Sequence, residues 1–119
     1  NIGMTEDAIV AYKKAIDVNS DYFDANYNLG ALYFNKAVNG INEANEMWKP
    51  RMSRTEASEQ KKLEEDSKAM FVTAKPFLES AFAADNKDVE TIRSLKDIYA
   101  RTGEDDKFIQ MNNLLKSFQ

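Results

Sequence analysis

Apolar residues recur at helical spacing along almost the whole chain. Ala8, Ala11/Tyr12 and Ala15/Ile16 fall at i, i+3/i+4 and i+7, as do Leu29, Leu32/Tyr33 and Phe34/Ala37, and Leu95 with Ile98/Tyr99. Strand-like alternation is absent, and the few Gly and Pro residues stand mostly between these segments, as short helix–helix turns require. The pattern predicts an all-α chain of about five helices. One apolar series continues through Phe34, Val38, Ile41, Ala44/Ala45 and Trp48 without losing phase at Asn39-Gly40. Pro50 disfavours helix at Lys49 and marks the stop. Ser53-Arg54-Thr55-Glu56 has the Ser-x-x-Glu form of a capping box, so a second long helix is expected to start there and run to about Ala84. Pro76 lies inside it and removes one backbone hydrogen bond, which reads as a tolerated kink.

The chain also repeats itself. Ala8, Tyr12 and Ala15 align with Ala74, Leu78 and Ala81, and Leu29 and Tyr33 align with Leu95 and Tyr99, all at an offset of 66. Gly3 and Gly103 differ by 100. A unit of about 34 residues with one insertion of about 32 residues between Tyr33 and Ala74 accounts for every offset. Leu29-Gly30-x-x-Tyr33 on one helix, with Ala8, Tyr12 and Ala15 on the other, resembles the tetratricopeptide repeat. The resemblance covers about 85 residues, all those outside the insertion. It departs from the family pattern at Asn26, where tryptophan is favoured, at Lys96 in place of the motif glycine, and at Phe108 in place of a small alanine. Ser20 and Asn86 stand in place of the closing proline. The resemblance implies an α-solenoid of antiparallel helix pairs, in which each repeat packs mainly on its neighbours.

The expected organisation is one helical domain. Residues 1–22 form the second helix of a truncated repeat, 23–88 a repeat with an inserted arm over about 35–68, and 89–119 the C-terminal repeat. Repeats upstream of residue 1 are expected from the missing first helix, the alternative being a first helix that caps the fold unaided. A mid-helix glycine costs roughly 1 kcal/mol, so Gly30 needs a reason; the expected one is close packing against Ala74 across a hairpin. Gly30–Ala74, Ile41–Leu63 and Trp48–Ala57 share a nearly constant index sum, as facing residues of an antiparallel pair must. The insertion then lengthens both helices into a straight arm of roughly 24 Å; a hinge at Asn39-Gly40 is the rival.

Composition narrows the chemistry. The chain has no cysteine and no histidine, which removes disulfides, thiolate sites, the commonest general base and the usual zinc ligands. No Gly-rich phosphate loop or calcium loop is present, and no catalytic residue, cofactor or metal site is expected. Glu64-Glu65-Asp66 and Glu104-Asp105-Asp106 are adjacent on helices and so do not converge, and the second group suits the positive end of a helix dipole. A net charge of -4 argues against non-specific nucleic-acid or anionic-membrane binding, and no apolar run reaches the ~20 residues of a membrane span.

Binding is the expected activity. In the family it resembles, the first helices of successive repeats line a concave groove for a peptide or protein partner. Mapped here, that face comprises Asp24, Tyr27, Ala31, Phe34 and Asn35, then Glu90, Arg93, Asp97 and Arg101. Tyr27 and Phe34 either line the groove or pack internally. Met47, Trp48 and Met52 at the arm tip form either a contact patch or, through Trp48, a clamp between the limbs. Homo-oligomerisation through the arm is the alternative function. The repeat style resembles that of exported proteins, which weighs towards a periplasmic or exported, soluble protein.

Overall fold

The computed structural model describes residues 2–118, and all regular structure among them is helical. The helices are α1 (Ile2–Val18), α2 (Phe23–Met47), α3 (Arg54–Ala84), α4 (Val89–Thr102) and α5 (Asp105–Ser117). They pack as α2 on α3, α4 on α5, α3 on α4 and α1 on α2, with α2 also touching α4. The molecule measures 48 × 35 × 20 Å.

α2 and α3 form a long antiparallel hairpin. Moving outward along it, Gly30 lies on Leu78, Gly40 on Ser67, and the Gln60 side chain donates to the Ala44 carbonyl at 2.7 Å. α2 runs unbroken through Asn39-Gly40, and α3 through Pro76. No hinge therefore divides the arm. Gly40 serves close approach instead: a β-carbon there would overlap the Ser67 hydroxyl and stand 3.0 Å from Ser67 Cβ. Ser67 is buried, and its hydroxyl donates to the Leu63 carbonyl at 2.7 Å.

Two of the expected pairings are corrected. Gly30 faces Leu78, one helical turn beyond Ala74: a β-carbon on Gly30 would stand 2.7 Å from Leu78 Cγ and 3.2 Å from its backbone nitrogen. Contact faces recur every 3.6 residues, so Ala74 and Leu78 share the face, and only the helices' relative rise selects between them. Trp48 does not pack on Ala57; both are exposed. Trp48 has already left the helix, with φ -65° and ψ 135°, and its side chain is largely exposed.

The start of α3 is fixed locally. Ser53 Oγ accepts from Glu56 N at 3.0 Å, and Ser53 N donates to Glu56 Oε1 at 3.1 Å, completing the capping box. Lys49 reaches across the turn to the same carboxylate. The Lys49 bond, then those from Ser53, hold the Glu56 carboxyl down at about 2. A lowered folded value means that this contribution to stability is present above about 4.5 and is lost as the pH falls through about 2. Side-chain carboxyl NMR is expected to show Glu56 titrating near 2, with Lys49→Met moving it up the most and Ser53→Ala, which keeps the backbone N–H, moving it up by less. A wild-type midpoint at the ordinary value would remove the Lys49–Glu56–Ser53 contacts as the organiser of the tip.

The core joins α2, α3, α4 and α5 through Ala37, Phe71, Ala74, Leu78, Ile92, Leu95, Ile98, Tyr99 and Met111. Repeat-equivalent positions differ in burial. Ala74, Leu78 and Ala81 of α3 are fully buried, whereas Ala8, Tyr12 and Ala15 of α1 are half-buried. α3 is sandwiched between α2 and α4, while α1 packs on α2 alone, so the same motif is covered on fewer sides.

The departures from the repeat pattern also have local accounts. Asn26, placed where a large aromatic is favoured, is buried and donates both amide hydrogens, to the carbonyls of Ser20 (3.0 Å) and Tyr22 (2.9 Å). It ties the α1–α2 turn to the first turn of α2. In the last pair, Lys96 and Phe108 occupy the positions of Gly30 and Ala74, and the Lys96 ammonium sits 5.6 Å from the Phe108 ring centre. Both side chains line a cleft of about 620 Å³ along α4 and α5.

Candidate functional site

α2 and α4 are the two helices whose motifs mark them as first members of successive repeats, and they touch. Residue numbers rise in the same direction along the shared face, from Tyr27 beside Asp88 and Glu90 to Phe34 and Arg101 around Phe71.

At the first end, Tyr27 stacks on Phe23 with ring centres 5.7 Å apart and an interplanar angle of 11°. Burial, then the charges of Asp88 and Glu90, push its phenol up. Asp24 and Glu90 are exposed, and Glu90 pairs with exposed Arg93 at 2.9 Å. At the far end, Phe34 meets Phe71 edge-on, 5.5 Å between centres at 77°. The Arg101 guanidinium covers that same Phe71 ring at 4.4 Å and pairs with Asp97 at 2.9 Å. Asn35 is exposed, and Ala31 is half-buried between the two ends. Tyr27 and Phe34 each pack against the core and keep part of their surface open.

Phe71 was not legible as part of this face. Its signal was a buried-helix position on α3, yet it joins Phe34 of α2 to Arg101 of α4. A cleft of about 380 Å³ opens beside it, lined by Lys68, Phe71, Val72, Arg101 and Thr102.

A polar network elsewhere fastens the last repeat to α3. The Tyr99 hydroxyl donates to Glu79 at 2.7 Å, and Lys75 pairs with Glu104 at 3.0 Å. Thr102 donates to the same Glu104 carboxylate, and Lys107 lies 3.5 Å from it. Burial, then the Glu79 bond, push the Tyr99 phenol up; the Thr102 bond, then Lys75, hold the Glu104 carboxyl below its usual range. Of the acidic trio 104–106, then, only Asp105 and Asp106 sit in the first turn of α5 where its dipole favours them. Glu104 makes no side-chain cap and turns back to Lys75 and Thr102.

At the arm tip, Trp48 is 64% exposed while Met47 and Met52 are half-buried. Trp48 therefore leaves most of its surface open to solvent. No helix among the described residues is long and apolar enough to cross a membrane.

Successive antiparallel pairs, glycines at the α2–α3 crossing and two first helices side by side define an all-α helical-repeat protein. A family model described as a TPR repeat matches residues 2–36, which span α1 and the first half of α2. Residues 2–36 thus match a tetratricopeptide repeat, a repeat that generally mediates protein–protein interaction, and the all-helical architecture of the rest is consistent with such a fold. No curated protein and no solved structure matches the chain.

Proposed function

We propose that the α2–α4 face binds a peptide or protein partner and that the chain works as a scaffold without catalysing a reaction. The observation that carries this reading is the side-by-side placement of two first helices, with Tyr27, Phe34 and Arg101 each part anchored and part open. Aromatic and arginine side chains held by packing on one side lose little freedom on binding, and such residues dominate interface energetics. The two charge pairs, Glu90–Arg93 and Asp97–Arg101, lie within α4 and are open to water. A ligand exchanges them for its own charges at small cost, because exposed pairs contribute about 0–1 kcal/mol.

The test is to select displayed random linear peptides on the chain and titrate the selected peptides. Tyr27→Ala and Arg93→Ala are expected to weaken binding roughly tenfold each, or about 1.4 kcal/mol, without changing helix content. Peptides that bind both variants as tightly as the original chain would place the site elsewhere.

A further inference from the structure

The cleft beside Phe71 has apolar and cationic walls. It holds about 380 Å³, and Lys68, Phe71 and Val72 of α3 and Arg101 and Thr102 of α4 line it. Val72 is 54% exposed, whereas Phe71 next to it is buried against Phe34 and Arg101. The Arg101 guanidinium carbon lies over the Phe71 ring, 4.4 Å from its centre. Its Nε–H donates to Asp97 at 2.9 Å, and the side chain stays 41% exposed. The Lys68 ammonium pairs with Glu64 at 2.9 Å. Both carboxylates sit one turn earlier on the same helix as their partners, and neither lines the cleft.

Such a lining discriminates among side chains. A carboxylate would compete with Asp97 and Glu64 for cations that are already paired, and a cation would meet Lys68 and Arg101. An aliphatic group would cover Val72 but strip water from two charges without replacing it. An aromatic ring suits every wall: its negative face matches the ammonium and the guanidinium, and its body covers Val72. A guanidinium hydrogen-bonds in its own plane, so the bond to Asp97 leaves its faces free for stacking. One face rests on Phe71, and the other is left for a second ring. We infer that the cleft receives an aromatic side chain of the peptide or protein partner, stacked on Arg101 above Phe71, with Val72 at its edge and Lys68 at its rim. The inference rests on the reading of the α2–α4 face as a binding surface and adds what the partner carries at the Arg101 end.

N-acetyl-phenylalaninamide and N-acetyl-leucinamide, titrated separately and followed by NMR, test the cleft without a selected peptide. The phenylalanine probe is expected to shift the Val72 methyl signals and to move the Arg101 Nε–H signal upfield, both saturably, through the ring current of a stacked ring. The leucine probe is expected to move neither. Arg101→Lys keeps the charge but removes the flat face, and is expected to weaken the phenylalanine probe roughly threefold or more, read at Val72. Val72→Ser is expected to weaken it as well, read at Arg101. Both positions are exposed, and circular dichroism verifies that each variant keeps its helix content. Peptides selected on the chain are expected to carry an aromatic residue whose replacement by leucine costs roughly threefold or more on the original chain and little on Arg101→Lys. Signals that stay in place, that move equally with both probes, or that move as far in Arg101→Lys overturn the inference and leave the groove standing. Peptides that ignore Tyr27→Ala and Arg93→Ala while the phenylalanine probe still stacks on Arg101 support the cleft and overturn the groove alone.

Discussion

Gly30→Leu is expected to lower the melting temperature by roughly 10 °C or more. The added side chain has nowhere to go. Its β-carbon alone would meet Leu78 Cγ at 2.7 Å, Cδ2 at 2.8 Å and the α3 backbone nitrogen at 3.2 Å. Overpacking a core typically costs about 1–3 kcal/mol and sometimes more, and here the backbone of α3 must also retreat. At this chain length each kcal/mol moves the midpoint by a few degrees, roughly 2–8 °C. Gly30→Ala separates the opposing terms. Alanine returns roughly 1 kcal/mol of helix propensity yet collides with a leucine side chain. In a Leu78→Ala background the two colliding side-chain atoms are gone and only the backbone nitrogen at 3.2 Å stays close, so Gly30→Ala is expected to cost much less there than in the original chain. A cycle of these four proteins, measured by urea unfolding, reads the coupling directly. Additivity would mean that Gly30 does not face Leu78.

The second large effect is expected at Asn26. Asn26→Asp replaces a double donor with an acceptor and points carboxylate oxygens at the carbonyls of Ser20 and Tyr22 in a site only 1% exposed. The lost bonds and the buried charge together cost about 3 kcal/mol or more. Asn26→Ala is milder, about 1–2 kcal/mol, because the Tyr22 carbonyl still accepts from the Asn26 backbone N–H at 3.1 Å. The sign with pH distinguishes the two. The aspartate deficit shrinks as the pH falls, since the protonated carboxyl again donates to one carbonyl, whereas the alanine deficit stays flat. Thermal melts at several pH values measure this; parallel curves would remove Asn26 as the donor that closes the turn.

Both effects concern residues whose importance was visible in the sequence while their partners were not. Gly30 stood out because a helix rarely tolerates glycine without a reason, and Asn26 because it occupies a position where the resembled family favours tryptophan. What each touches depends on how far one helix slides along another. Ala74 and Leu78 lie one turn apart on the same face, and a periodic pattern cannot choose between them. The groove residues behaved alike. Tyr27, Phe34, Arg93 and Arg101 could be placed on the faces of their helices, but the ring that joins Phe34 to Arg101 is Phe71, contributed by a third helix. Nothing in local spacing links those three positions. The arm tip shows the converse limit. An index sum placed Trp48 over Ala57, but the sum holds only while both residues are helical, and Trp48 is not.

The sequence by itself determined five helices, their punctuation and the 34-residue repeat, since period, Pro50 and the Ser53–Glu56 box act through neighbours a few residues apart. Tertiary structure alone decided the register of α2 on α3 and the assembly of Phe34, Phe71 and Arg101. It alone decided that Glu104 serves Lys75 and Thr102, and that α1 carries its motif only half covered. Local chemistry fixes which face of a helix is apolar. Which turn of that face meets which neighbour follows only from the combined packing of all five helices.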